Sequence, residues 1–141
     1  MNTPAIVSLP RSLTNQMLHH AQSDPAQEVC GLVGAKNNTP CSIYPITNKA
    51  SDPTCRFQLD EAEQIQAMQT MRTHQETLFA IYHSHPQGTD SPSSLDIEMA
   101  SYPEAIYLII SLGTKGVLKM QGFRINNGHS HPVKLNLTES A

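Results

Sequence analysis

Apolar residues recur every three or four positions in two stretches of the chain, which is the spacing of a helix that buries one face. The first stretch follows Pro10 and places Ser12 where a helix cap is expected. The second opens with Asp60 and Glu63, a D-x-x-E pattern typical of a helix start. These patterns predict helices over residues 11–24 and 60–75, and a short third helix is predicted over residues 93–100.

Shorter apolar runs bounded by turn residues predict the strands of a sheet. The strongest runs are VCGLVGA, LFAIYH and AIYLIISL. CSIYPITN follows the first of these across a turn, GVLKMQGFRI ends at Asn126-Asn127-Gly128, and VKLNL is a weak last strand. The order of these elements predicts a single compact α/β domain over residues 1–141, with helices flanking a mixed central β-sheet.

Composition narrows the expected partners of this domain. Of the 141 residues, 38% are hydrophobic and 15% charged, and the formal net charge is −3, so no basic patch favours nucleic acid. No apolar run approaches the roughly 18 residues of a membrane span, and the N-terminus MNTPAIVSLPRSL lacks the pattern of a secretion signal. We therefore expect a cytoplasmic protein without a membrane or nucleic-acid partner. The three cysteines form no C-x-x-C pair, which favours reduced thiols over a disulfide framework.

Two histidines end one of the strongest candidate strands. If LFAIYH is extended, His83 and His85 project to the same face of the sheet while Ser84 faces away. Asp96 lies eleven residues beyond His85, across a turn-rich loop, at the start of the third predicted helix. Two imidazoles and a carboxylate are a ligand set that a catalytic zinc ion accepts, with a fourth position left for water.

Each of these features also has a purely structural explanation. An H-x-H pair is more often part of a polar loop than of a metal site, and the chain holds a second pair, His129 and His131, which we interpret as part of a solvated tail. Ser93 and Asp96 are also the residues that a helix cap requires. It is their joint spacing, a buried strand ending in HSHP followed by S-x-x-D, that favours a metal site.

The complete pattern resembles the signature of the JAMM (MPN+) metallopeptidases. That signature is a distant glutamate, then H-[ST]-H-P and, with seven residues between the second histidine and the serine, S-x-x-D; here it is filled by Glu28, His83, Ser84, His85, Pro86, Ser93 and Asp96. The segments EVCGLVGA, FQLD, YLIISL and GFRINNG are similar to further parts of the family, so the resemblance covers most of the chain. It implies the JAMM/MPN fold, an α/β architecture similar to that of the cytidine deaminases.

Carried over to this chain, the resemblance implies a zinc ion held by His83, His85 and Asp96. It makes Glu28 the general base that takes a proton from the attacking water, and it gives Ser93 a part in stabilising the oxyanion of the tetrahedral intermediate. A zinc nucleobase deaminase would share a similar architecture, but the P-C-x-x-C element that such an enzyme needs is missing from this sequence.

The resemblance also implies a class of substrate. Family members cut after the C-terminal glycine of ubiquitin or a ubiquitin-like protein, and this chain is more similar to the small stand-alone prokaryotic members, which act on ubiquitin-like sulfur carriers. We therefore expect a peptidase that removes an amino acid or a C-terminal extension after the Gly-Gly of such a carrier. The alternatives are an isopeptidase that removes a bacterial ubiquitin-like modifier from conjugates, and a non-catalytic MPN binding module.

Overall fold

The apolar runs of the sequence form a seven-stranded sheet within residues 5–112 and 119–139, the part of the chain that this computed structural model describes. The strands are β1 (Ile6–Pro10), β2 (Cys30–Lys36), β3 (Thr39–Ile46), β4 (Thr77–His85), β5 (Ile106–Ser111), β6 (Lys119–Asn126) and β7 (His129–Thr138). The helices are α1 (Arg11–Ser23), α2 (Glu61–Thr73) and α3 (Ser94–Met99). Within the described residues, no helix is both long and apolar enough to cross a membrane.

The strands lie in the order β1-β7-β6-β5-β4-β2-β3. The pairs β1–β7 and β4–β5 are parallel, whereas the other neighbours are antiparallel, so the predicted mixed sheet is confirmed. Two clusters of buried side chains cover the sheet, one on the side of α1 and one on the side of α2. Because side chains alternate along a strand, Tyr82 of β4 joins the α1 cluster while its neighbour Ile81 joins the α2 cluster.

The sequence predicts the N-cap of α2 correctly but not that of α1. At the start of α2 the carboxylate of Asp60 accepts a hydrogen bond from the Glu63 N–H at 2.9 Å, so the predicted cap is confirmed. The predicted Ser12 cap of α1 is wrong, because the helix begins at Arg11 directly after β1. Pro10 occupies the cap position with a φ of −60°, a value that its ring imposes and that suits the entry to a helix.

Two strands differ from the expectation. β1 was not predicted, because its five residues, IVSLP, pair in parallel with β7 at the opposite end of the chain. The interpretation of His129 and His131 as a tail is wrong, because both lie in β7, opposite Asn126 and Arg124 of β6, although their side chains are exposed. The first residues of the predicted strand GVLKMQGFRI, 116–118, lie outside the described residues.

Gly31 of β2 is expected to resist substitution because the ring of Tyr82 lies against its Cα. A Cβ added at this position would meet that ring, which is fully buried and whose hydroxyl lies 2.7 Å from His20 Nδ1. We therefore expect Gly31→Ala to lower the free energy of unfolding by about 2 kcal/mol, measured by urea denaturation. Adding Tyr82→Leu removes the clash, so the alanine should then cost less; an equal cost in both backgrounds would contradict this explanation.

Candidate metal centre

Four of the five site residues predicted from the sequence each bring an atom that can bind a metal ion into one cluster. One such atom from each of Glu28, His83, His85 and Asp96 lies within 4.8 Å of the others. The fifth residue, Ser93, is the N-cap of α3, the helix that carries Asp96. Residues far apart in the sequence therefore converge at the carboxyl ends of β4 and β5.

The end of β4 holds the two histidines by main-chain pairing and by the loop that follows. His83 pairs with Ile109 of β5, and the Leu112 N–H donates to the His85 carbonyl at 3.0 Å. The Nδ1 atom of His85 lies 2.8 Å from the carbonyl oxygen of Thr89. A carbonyl only accepts, so His85 must carry a proton on Nδ1, which leaves the Nε2 lone pair of the neutral ring pointing into the site.

Asp96 is oriented by the cap of α3. The Ser93 hydroxyl accepts from the Asp96 N–H at 3.0 Å, and the Ser93 N–H donates back to Asp96 Oδ2 at 2.9 Å. This reciprocal capping box aims the carboxylate at the two imidazoles. Burial opposes the ionisation of Asp96, but its contacts with His83, His85 and the Ser93 N–H hold its pKa well below the ordinary value.

The donor atoms fit a small tetrahedral cation. His83 Nε2 lies 3.1 Å from His85 Nε2 and 3.1 Å from Asp96 Oδ2, and the distance from His85 Nε2 to Asp96 Oδ2 is 3.0 Å. Ligands about 2.0–2.1 Å from a tetrahedral zinc ion are about 3.3 Å apart, close to these values. Lone pairs that converge in this way repel one another unless a cation or protons lie between them. The cluster can therefore bind a metal ion.

Glu28 stands beside these three atoms as a buried carboxyl group. It is 5% exposed, and its Oε1 has no hydrogen-bond partner among the described residues. Burial raises the pKa of Glu28 to about 7; the nearby Asp96 acts in the same direction and His85 opposes it. A carboxyl group of this kind, with a free oxygen beside a metal site, is suited to taking and returning a proton near neutral pH.

Two cavities border the cluster. One, of about 330 Å³, is lined by His83 and Asp96 together with the largely apolar side chains of Phe57, Leu59, Leu95 and Tyr102. The other, of about 620 Å³, is lined by Glu28, His85 and Ser93 together with Ala26, Thr54 and Pro86. The cluster is therefore bordered by one cavity on the side of His83 and by another on the side of His85.

Three further residues, Phe57, Ser84 and Cys30, surround the cluster. The ring of Phe57 stacks on that of His83, with centroids 4.3 Å apart and planes 22° from parallel. Ser84, between the two histidines, accepts from the Val29 N–H at 2.9 Å and so joins β4 to the residue after Glu28. The nearby thiol of Cys30 is buried, which raises its pKa to about 12, so it stays protonated near neutral pH and is a poor nucleophile.

The family model for prokaryotic homologs of the JAB domain matches residues 10–126. The chain belongs to this family. The match confirms the predicted resemblance to JAMM/MPN proteins, and it extends from the end of β1 to the end of β6. An extent of the domain over all of residues 1–141 stays a prediction.

Individual JAB-family proteins are similar to this chain over most of their length. The desampylase of Haloferax volcanii is 31% identical over 115 residues, which cover 77% of this chain and 83% of the relative. The CysO-cysteine peptidase of Mycobacterium tuberculosis is 29% identical over 139 residues, covering 97% and 94% of the two chains. The solution structure of protein DSY2949 from Desulfitobacterium hafniense superposes with a TM-score of 0.84 at 29% identity, covering 96% and 94%. The predicted α/β fold class is therefore confirmed.

Proposed function

We propose that this protein is a zinc peptidase that cuts after the C-terminal Gly-Gly of a ubiquitin-like sulfur carrier. One observation carries the proposal: the buried Glu28 carboxyl, with an oxygen that has no partner among the described residues, lies beside three donor atoms only 3.0–3.1 Å apart. In a structural zinc site four protein ligands usually surround the metal ion. Here three donor atoms converge and the neighbouring group is a carboxyl that can accept a proton, which favours a hydrolytic site.

The residues of the site divide the chemistry of peptide hydrolysis among them. His83, His85 and Asp96 would hold the zinc ion, which supplies Lewis acidity when bound. Glu28 accepts the proton of the attacking water and then delivers it to the nitrogen of the leaving amine. The Ser93 oxygen accepts from the Asp96 N–H, so its own O–H remains available to donate to the developing oxyanion.

The cavity beside His83 supports an extended tail as the substrate. It is lined by Phe57, Leu95 and Tyr102 next to His83 and Asp96. We propose that it takes the Gly-Gly segment next to the bond that is cut, because glycines bring no side chains that the cavity has to accommodate. The name of the mycobacterial relative, CysO-cysteine peptidase, points to a bond between a protein and an amino acid. A ubiquitin-like carrier is thus the partner that we propose.

The second cavity favours one alternative activity on the same site. Its volume of about 620 Å³, between Glu28, Ser93 and Pro86, exceeds what a single released amino acid needs. An isopeptidase that removes a ubiquitin-like modifier from the lysine of a conjugate would use this room for the conjugated chain. A non-catalytic MPN binding module is disfavoured, because it has no use for a complete donor set with Glu28 beside it.

A comparison of two substrates tests this proposal. We expect the protein to release the last residue or extension from a linear carrier fusion ending in Gly-Gly-X at least about tenfold faster than it cleaves a lysine-linked conjugate of the same carrier. Mass spectrometry of both reactions gives the rates and the cleaved bond, and a fusion with Ala-Ala before the bond is the control. Faster cleavage of the conjugate would favour the isopeptidase, and a zinc-loaded protein inactive on both substrates would overturn the proposed function.

A further inference from the structure

Asn48, two residues after the end of β3, uses the full hydrogen-bonding capacity of its side chain. Its Nδ2 donates to the carbonyl of Glu28 at 2.9 Å and to the carbonyl of Arg56 at 3.0 Å. Its Oδ1 accepts from the N–H groups of Ala50 at 2.9 Å and Gln58 at 3.0 Å. An amide has two donor hydrogens and two acceptor lone pairs, so all four are used. One half-buried side chain thus joins Glu28 to both ends of the loop over residues 48–58.

The loop over residues 48–58 does not depend on this side chain for its closure. The Lys49 N–H donates to the Gln58 carbonyl at 2.8 Å, and the Asp60 N–H donates to the Thr47 carbonyl at 3.1 Å. These main-chain bonds pair the two arms of the loop at its base. Among the described residues, the Asn48 side chain alone adds a bond from the base of the loop to Glu28.

The backbone of Glu28 is held on both sides. Its N–H donates to the Pro53 carbonyl at 2.7 Å, within the same loop, and its carbonyl accepts from Asn48. The next residue, Val29, is bonded to Ser84 of β4 through both its N–H and its carbonyl, at 2.9 and 3.0 Å. The general base is therefore fixed between the loop and the strand that carries His83 and His85.

We propose that Asn48 is a positioning residue for Glu28, one that sets the place of the general base relative to the metal ligands. The effect of Asn48 on catalysis rests on the proposed function, whereas its effect on the backbone of Glu28 does not. Asn48 also fixes the main chain on both sides of Phe57, at Arg56 and Gln58, and Phe57 stacks on His83. A displacement of about 1 Å at a catalytic group can cost roughly 100-fold in rate. Asn48 thus connects the backbone of Glu28 to the backbone around Phe57, whose ring contacts His83.

Asn48→Asp tests the proposal, because aspartate has the same shape and keeps both accepted bonds but cannot donate to Glu28 or Arg56 when ionised. Amide hydrogen exchange should become about 10–100-fold faster at Glu28 and over residues 54–58, with no change in β4 and β5. In the zinc-loaded enzyme we expect kcat to fall about 10–100-fold, with KM within about threefold and zinc stoichiometry unchanged. Asn136→Asp, the same change at an exposed position of β7, is the matched control.

Asn48→Ala removes the four bonds without adding a charge. If the aspartate variant does not fold, hydrogen exchange, kcat and zinc content are measured on the alanine variant instead. The proposal is overturned if exchange at Glu28 is unchanged in the folded variants. It is also overturned if kcat stays at the wild-type value, or if zinc content falls in parallel with kcat. Hydrogen exchange is measured without substrate, so a protein that cleaves no carrier would contradict the proposed function while still testing the role of Asn48 in holding Glu28.

Discussion

Asp96→Ala is expected to remove both zinc binding and turnover. The Asp96 carboxylate is the one anionic donor among the three converging atoms, at 3.1 Å from His83 Nε2 and 3.0 Å from His85 Nε2. Without it, two imidazoles remain, and two neutral ligands do not retain zinc against a chelator at micromolar concentrations. We expect zinc, measured by mass spectrometry after dialysis, to fall from about one to below about 0.1 per chain, and kcat/KM to fall by at least about 1,000-fold.

Asp96 also caps α3, so the loss of a ligand must be separated from the loss of a cap. Asp96→Asn keeps an oxygen that can accept from the Ser93 N–H, so it preserves much of the cap, worth about 1 kcal/mol, while it removes the charge. We expect this variant to keep its thermal stability without metal and still to lose most of its zinc. Asp90→Ala, the same charge change in the loop before α3, is the control. Full zinc content in either Asp96 variant would contradict the ligand role.

The sequence predicts the central part of this fold because its physical signals are local. β4 and β5 are largely buried on both faces, so each is a nearly continuous apolar run in the sequence. The cap of α2 depends on Asp60 and Glu63, which lie within four consecutive residues. The edges of the sheet lack such signals. β1 is short, its Ile6 is 64% exposed, and its only strand partner among the described residues, β7, lies more than a hundred positions away. Pairing of this kind depends on the folded chain and leaves little pattern in the sequence.

The candidate site shows the same division between local and distant signals. His83, His85, Ser93 and Asp96 lie on one strand, one loop and one helix start, so strand alternation and capping rules relate them. Glu28 is brought to them by long-range contacts, among them the pairing of β2 with β4, so in the sequence it is indicated by the family pattern alone. The contribution of Asn48 was missed because its partners are main-chain atoms, which any residue type supplies. An asparagine opening a polar loop predicts a turn, and nothing in the sequence indicates which carbonyl it will bind.

Glu28→Gln is expected to separate metal binding from catalysis. Glutamine is nearly the same size, and the zinc donors His83, His85 and Asp96 are untouched, so zinc should remain at about one per chain. The amide cannot accept a proton from water at neutral pH, so kcat on the linear carrier fusion should fall about 100–10,000-fold, with KM changed little. Zinc analysis and steady-state kinetics on the same preparation give both quantities. Glu98→Gln, at an exposed position of α3, is the matched control.

The folding stability of Glu28→Gln without metal gives a second test of the buried Glu28 carboxyl. Burial raises the pKa of Glu28 to about 7, so at pH 8 the folded protein without metal holds a buried carboxylate whose Oε1 has no partner among the described residues. A folded-state pKa above the unfolded value means that stability falls as the pH rises from about 4.5 to about 7. Glu28→Gln should therefore be more stable than the wild type at pH 8, and this gain should shrink towards pH 5, where Glu28 is already protonated. Retained turnover in this variant would remove Glu28 from the role of general base, whatever its effect on stability.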